Sequence, residues 1–207
     1  INNAAISVIK HFKDDKNVKI IFQTGRKNYQ DTKKQLLTLL YDEAENNDLM
    51  PENLIMEPYF EKLYIPILAA DIIVSRAGSL SISEILAAKK PSILVPYPYA
   101  AHNHQRRNAR EIEKLGAAIY VEDANLKEND EKVKSEKSQT NELVTILKNL
   151  MQDREKFEKL RKNASIQILK NPTYDILNLI LDAAGVSLAD TTSQTADTAC
   201  IQAVPES

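Results

Sequence analysis

Two segments of the chain hold residues whose types and spacing fit ligand chemistry. The first reads Ser75-Arg76-Ala77-Gly78-Ser79-Leu80-Ser81-Ile82-Ser83-Glu84-Ile85 and lies between a β-type apolar run and a helical pattern. A glycine there permits a tight turn and a close backbone approach. The unpaired N–H groups of a helix start, with the helix dipole behind them, can then hold a phosphate or diphosphate. Ser81-x-x-Glu84 also has the spacing of a capping box, in which the carboxylate only satisfies a backbone donor. If the helix begins nearer Gly78 or Ser79, Glu84 falls in the second turn, where its carboxylate can accept from both hydroxyls of a ribose. The position of the helix start decides between these readings.

The second segment, Pro96-Tyr97-Pro98-Tyr99-Ala100-Ala101-His102-Asn103-His104-Gln105-Arg106-Arg107-Asn108-Ala109, supports several readings. His102-x-His104 is half a metal site, but no nearby Cys, acidic residue or further His completes it, so no metal is expected. Arg106, Arg107 and Arg110 offer charge to a nucleic acid, yet Glu111 and Glu113 follow on the same helix, the pattern of a solvated face. Neither a Gly-x-Ser-x-Gly elbow nor a suitably placed Cys supplies a nucleophile. Gln105 and Asn108, three apart on one helix face, present donors and acceptors to sugar hydroxyls.

These segments need elements to position them. Asn2 and Asn3 followed by Ala4, Ala5, Ile6, Val8, Ile9 and Phe12 predict a capped amphipathic helix. A strand–loop–helix unit then recurs, with strands expected at 18–23, 53–56, 71–75, 92–95 and 117–121. Helices are expected at 29–45, 60–70, 80–89 and 103–115. Alternation at this spacing calls for an α/β fold, a Rossmann-like parallel sheet with helices on both faces. Ligands bind such sheets at the carboxyl ends of the strands. A charged insertion is expected over 124–141, then helices at 142–151 and 153–169. A last apolar helix over 174–184 closes the domain, and a disordered tail follows from 185 to 207.

Composition narrows the classes further. Four glycines and eight scattered prolines in 207 residues exclude collagen-like and turn-rich small β folds. One cysteine, Cys200, forms no internal disulfide and gives weak support for a reducing compartment. The net charge is -2, but all 27 basic residues precede residue 171, against 24 acidic ones over the same stretch, a mild positive excess. That is too little for a nucleic-acid partner, which is not expected. No apolar run approaches the roughly 18 residues of a membrane span.

The runs 69–85, 90–101 and 103–109, together with Gln23-Thr24-Gly25 and Pro58-Tyr59-Phe60, resemble the C-terminal half of the MurG-type UDP-N-acetylglucosamine transferases, GT-B enzymes of glycosyltransferase family 28. The resemblance covers residues 1–184 and implies a GT-B C-terminal domain that grips a UDP-sugar donor. It implies that Phe60 lies by the uracil and contacts it largely through backbone, and that Ser79, Leu80, Ser81, Ile82 and Ser83 cradle the diphosphate. Glu84 would bind the ribose hydroxyls, and Gln105 with Asn108 would face the N-acetylglucosamine. It implies no cofactor and no obligatory metal, because helix N–H groups stabilise the departing UDP during an inverting displacement.

The family's acceptor domain, its general base and the first strand of the donor domain have no counterpart in these residues. The start at Ile1 therefore reads as a truncation inside a fold, with no catalytic residue in the chain and no turnover expected from it alone. The resemblance further implies a lipid-linked muramoyl-pentapeptide acceptor and peripheral contact at the cytoplasmic face of the bacterial membrane, both through the absent half. Two alternatives remain open: another GT-B UDP-sugar transferase, such as one acting on diacylglycerol, and a stand-alone donor-binding subunit. A helix-rich nucleic-acid binder would need a steep salt dependence of binding, which the mild positive excess does not predict.

Overall fold

A computed structural model of the chain describes residues 1–41, 49–126 and 141–167. The helix expected over 174–184, the tail from 185 and most of the charged insertion lie outside the described residues. In chain order the elements are α1 (Asn2–Phe12), β1 (Ile20–Gln23), α2 (Tyr29–Leu40), β2 (Leu54–Glu57), α3 (Tyr64–Ala69), β3 (Ile73–Ser75) and α4 (Ser79–Ala87). They continue with β4 (Ser92–Leu94), α5 (His104–Lys114), β5 (Ala118–Tyr120), α6 (Glu142–Gln152) and α7 (Arg154–Gln167). The fold is α/β with parallel strands, as the alternation predicts.

The strands form two parallel sheets, β1-β2 and β3-β4-β5, and no described strand joins β1 to β3. In the larger sheet Val74, Ile93 and Ile119 are in register, as are Ser75, Leu94 and Tyr120. Successive residues point to opposite faces of a strand, so the two rows feed two cores. Ile93 packs with Ala4, Val95, Val121, Leu126 and Leu143 under α1 and α6. Leu94 packs with Ala77, Ile82, Ile85, Ala109 and Ala118 under α4 and α5. The three-stranded sheet thus has helices on both faces. The smaller sheet is covered on one face, where Phe22, Leu54 and Met56 meet Ile6, Ile9 and Leu36. Its other face leaves the paired Ile21 and Ile55 exposed among the described residues.

Three local features depart from the pattern-based expectation, each for a physical reason. Asn2 does not cap α1. The N-cap is Ile1, without a side-chain bond, and Asn2 Nδ2 instead donates to the Thr24 carbonyl at 3.0 Å, tying α1 to the loop after β1. The third helix spans only Tyr64–Ala69, because Pro66 lacks an N–H and is tolerated in a first turn but not further along. The ends of the expected insertion belong to the folded unit. Leu126 is buried at the close of a 3-10 turn (Asp123–Leu126), and buried Asn141 donates to its carbonyl at 3.1 Å while capping the Leu143 N–H at 2.9 Å.

Gly116 turns the chain from α5 into β5 with φ of +66°, and an added Cβ would lie 2.6 Å from Asn163 Nδ2, which itself donates to the Gly116 carbonyl at 3.1 Å. Gly116→Ala therefore combines a left-handed backbone penalty of about 1–2 kcal/mol with a displaced side chain. It should lower the thermal midpoint by roughly 2–8 °C in calorimetry. An unchanged midpoint would contradict this reading of the turn.

Candidate functional site

The helix α4 decides the question left open for Glu84. Its N-cap is Gly78, at φ -66° and ψ 146°, and its first residue is Ser79. A capping box would need Ser81 at the cap, but Ser81 is the third residue of the helix and Glu84 lies in the second turn. The half-buried Glu84 carboxylate makes no hydrogen bond or ion pair with any described residue.

No side chain caps α4, and its first backbone bond runs from the Ile82 N–H to the Gly78 carbonyl at 3.0 Å. The N–H groups of Ser79, Leu80 and Ser81 therefore have no partner inside the helix, and the dipole adds partial positive charge there. Ser79 and Leu80 are exposed, Leu80 by 73% despite its apolar side chain. Ile82 is buried in the core, and Ser83 turns its hydroxyl back onto the Ser79 carbonyl at 3.0 Å. Of the five residues 79–83, three present free amides. The tight glycine turn expected at Gly78 is corrected: φ of -66° is open to any residue, and a Cβ would meet only Ser81 Oγ, at 3.9 Å. What glycine supplies here is bare backbone beside the free amides.

The 96–105 loop is held from several sides. His102 and Asn103 adopt left-handed φ of 50° and 54°, costly for residues with a Cβ. Arg107 fixes this turn by donating to the His102 carbonyl at 3.0 Å, and His104 Nδ1 donates to the Ala101 carbonyl at 2.6 Å. Gln105 Oε1 accepts the Tyr97 N–H at 2.9 Å, and Asn108 Nδ2 donates to the Ala77 carbonyl at 3.3 Å. Each amide thus spends one end on a loop and keeps the other: the NH2 of Gln105 and the carbonyl oxygen of Asn108. The Asn108 bond also joins α5 to the turn that opens α4, so these two expected site elements are brought together.

Phe60, half-buried three residues beyond β2, donates its N–H to Gln23 Oε1 at 2.9 Å. Beside it the Arg26 guanidinium lies 4.7 Å from the Tyr59 ring. Surface concavities of about 630 and 530 Å³ lie elsewhere, one including Asn149, Asp153 and Lys156, the other Asp31, Gln35 and Leu39. Neither touches the loops at the strand ends. The candidate site is an open ledge along which Ser79, Leu80, Tyr97 and Tyr99 are exposed. Among the described residues no three His, Cys, Asp or Glu side chains group as metal ligands, and no helix is long and apolar enough to cross a membrane.

The α5 arginines are engaged locally. Arg106 pairs with Glu122 at 3.1 Å, Arg110 pairs with Glu113 at 3.0 Å, and the Arg110 guanidinium lies 3.6 Å from the Tyr120 ring. The Tyr120 hydroxyl donates to Glu122, and this bond is the main reason that the Glu122 carboxyl is held below its ordinary 4.5, with Arg106 adding to it against partial burial. A depressed carboxyl stabilises the fold above its unfolded value and loses that contribution as pH falls through the folded value. The difference in thermal midpoint between wild type and Glu122→Gln should be full above pH 4.5 and should close below it. A gap that persists in acid would contradict this assignment.

Residues 1–178 match the glycosyltransferase family 28 C-terminal domain. The chain belongs to this family. It is 32% identical over 167 residues to the UDP-N-acetylglucosamine--N-acetylmuramyl-(pentapeptide) pyrophosphoryl-undecaprenol N-acetylglucosamine transferase of Desulforamulus reducens, an alignment covering 79% of this chain and 40% of the relative. It is likewise 32% identical over 184 residues to the transferase of the same name from Halothermothrix orenii, covering 89% of this chain and 45% of that protein. The chain thus spans less than half the length of these relatives. The crystal structure of Acinetobacter baumannii MurG is similar in fold, with a TM-score of 0.54 at 23% identity over 79% of this chain and 40% of that one.

Within this family 28 domain, the contacts of two residues that shape the ledge escape motif reading, although both residues sit in the quoted runs. Gln23 holds the Phe60 peptide, and Arg76 reaches Asp123, 47 residues away. Arg76 sits in the quoted motif, so its position was visible. Its partners were not, because they lie at the ends of other strands.

Proposed function

We propose that this family 28 domain binds the donor UDP-N-acetylglucosamine and forms the donor half of an inverting N-acetylglucosaminyltransferase that converts the lipid-linked muramoyl-pentapeptide of peptidoglycan synthesis. The observation that carries the proposal is the uncapped start of α4, with three amides and, one turn further on, a Glu84 carboxylate that have no partner among the described residues. Free amides at a helix start suit a diphosphate. A carboxylate without protein partners suits two vicinal hydroxyls, as on a ribose. The Phe60 peptide would meet the uracil, and the free ends of Gln105 and Asn108 would meet the sugar. We assign this role to residues 1–184 as one domain.

The reaction needs little covalent chemistry from this half. A hydroxyl oxygen of the acceptor sugar bonds to the anomeric carbon of N-acetylglucosamine, its proton passes to a base outside these residues, and the bond from that carbon to the β-phosphate oxygen breaks. Negative charge grows on the departing UDP. The amides of Ser79, Leu80 and Ser81 and the α4 dipole favour that charge more than the ground state, which lowers the barrier. The names of the relatives support the acceptor assignment; work at the cytoplasmic face of the membrane, where a lipid-linked acceptor would be met, belongs to the same proposal.

Calorimetric titration with UDP-N-acetylglucosamine, UDP-glucose and ADP-glucose tests the reading. The first should bind most tightly and the adenine nucleotide least. Equal affinity for all three would overturn it, and a preference for UDP-glucose would assign the domain to a different sugar.

A further inference from the structure

The carboxyl ends of three strands converge on one side chain to which the proposed donor contacts give no role. Arg76 immediately follows β3 and lies two residues before the N-cap of α4. Its Nη1 donates to the carbonyls of Val95, at 3.3 Å, and Pro96, at 2.9 Å, beyond the end of β4. The same nitrogen bonds to Asp123 Oδ1 at 2.5 Å, in the turn after β5. The guanidinium carbon is 5.5 Å from the centre of the Tyr97 ring. Arg76 is 29% and Asp123 20% exposed, so the pair is largely withdrawn from solvent.

These contacts join the two loops of the ledge. On one side of Arg76 runs 77–81, ending in the free amides. On the other runs 95–97, whose last peptide is held by Gln105. Asn108 closes the far side of the same frame through the Ala77 carbonyl. All three bonds leave one nitrogen, Nη1, whose two hydrogens are shared among three acceptors, and that nitrogen stands at the end of a planar, always charged guanidinium near the Tyr97 ring, one bond further along its side chain than the ammonium of a lysine reaches.

We propose that Arg76, oriented by Asp123, is a positioning residue that sets the separation between the α4 amino terminus and the Tyr97–Gln105 loop, and so governs discrimination for the donor's sugar rather than affinity for its nucleotide. The inference rests on the donor reading above. In that reading UDP is held by α4 and Phe60, and only the sugar depends on where the second loop stands.

The test titrates the full chain and its Arg76→Lys and Asp123→Asn variants with UDP and with UDP-N-acetylglucosamine, beside their thermal midpoints. Arg76→Lys should keep UDP affinity within about twofold and weaken UDP-N-acetylglucosamine about tenfold, the equivalent of one hydrogen bond. Asp123→Asn, which leaves the arginine in place, should move the ratio in the same direction by a smaller factor and serves as the reporter if the lysine variant does not fold. Equal weakening of both ligands, or no change in either, would overturn the positioning role. Failure of the unmodified chain to bind UDP would instead overturn the donor reading itself, and the inference with it.

Discussion

Glu84→Ala should weaken binding of UDP-N-acetylglucosamine by about 10- to 150-fold, the worth of one well-formed hydrogen bond to a charged group at ~1.5–3 kcal/mol. Two ribose hydroxyls would raise the loss toward the upper end. The fold should not register the change. Glu84 is half-buried, has no partner among the described residues and sits inside α4, where alanine is the better helix former. The thermal midpoint should therefore hold or rise slightly. Glu84→Gln retains one acceptor without the charge and should fall between the two. The same titration with UDP alone should show the same loss, since the ribose is common to both ligands. Unchanged affinity with Glu84→Ala would remove this residue from the site and leave its lack of partners unexplained.

The largest loss of stability is expected from Ile93→Ala. Ile93 lies in the central strand, fully buried, with Val74 and Ile119 on either side of it in register and the α1 and α6 side chains above. Truncation removes the transfer energy of the lost methyl and methylene groups and leaves a cavity that five flanking side chains on different elements cannot jointly refill. The expected cost is about 2–5 kcal/mol. Against a total stability on the order of 5–15 kcal/mol this is a large fraction, and it should appear as a lower urea midpoint with an unchanged slope. A loss under about 1 kcal/mol would mean that the sheet can repack around the gap. In the ligand assay the variant should bind normally while folded, because Ile93 points away from the core beneath α4 and α5.

The two variants separate what was legible in the sequence from what was not. The strand–loop–helix units were legible because apolar residues recur with the right period and breakers such as Pro51, Pro91 and Gly116 separate most of the units. The rule that ligands meet strand carboxyl ends points to the loops that follow the strands, and two of these, 75–80 and 96–105, are joined in space through the Asn108 bond to the Ala77 carbonyl. Glu84 was not decidable from spacing alone. Ser81-x-x-Glu84 satisfies a local rule, and only the observed start of α4 at Ser79 shows that the rule is not in use. The free ends of Gln105 and Asn108 were equally invisible. Sequence shows four hydrogen-bonding groups on one helix face, while the fold consumes half of them in holding Tyr97 and Ala77.

Other features depend on residues far apart in the chain. Asn2 reads as a cap by local preference, yet the Thr24 carbonyl 22 residues away takes its amide. Arg76 and Asp123 are joined only because β3, β4 and β5 end side by side. The separation of the strands into two sheets follows from pairing, which no period in the sequence encodes. In each case a local propensity is overridden, or given a purpose, by a contact that forms only after the chain has folded.

The central claim is that the donor nucleotide lies across the start of α4. Amide chemical-shift mapping of the isotope-labelled chain during a titration with UDP-N-acetylglucosamine tests it most directly. The account predicts that the largest shifts fall on the amides of residues 78–82 and Phe60, with the Gln105 side-chain NH2 moving only when the sugar is present. Shifts centred on the 31–39 or 149–156 surfaces, or none at the start of α4 at saturating ligand, would contradict it.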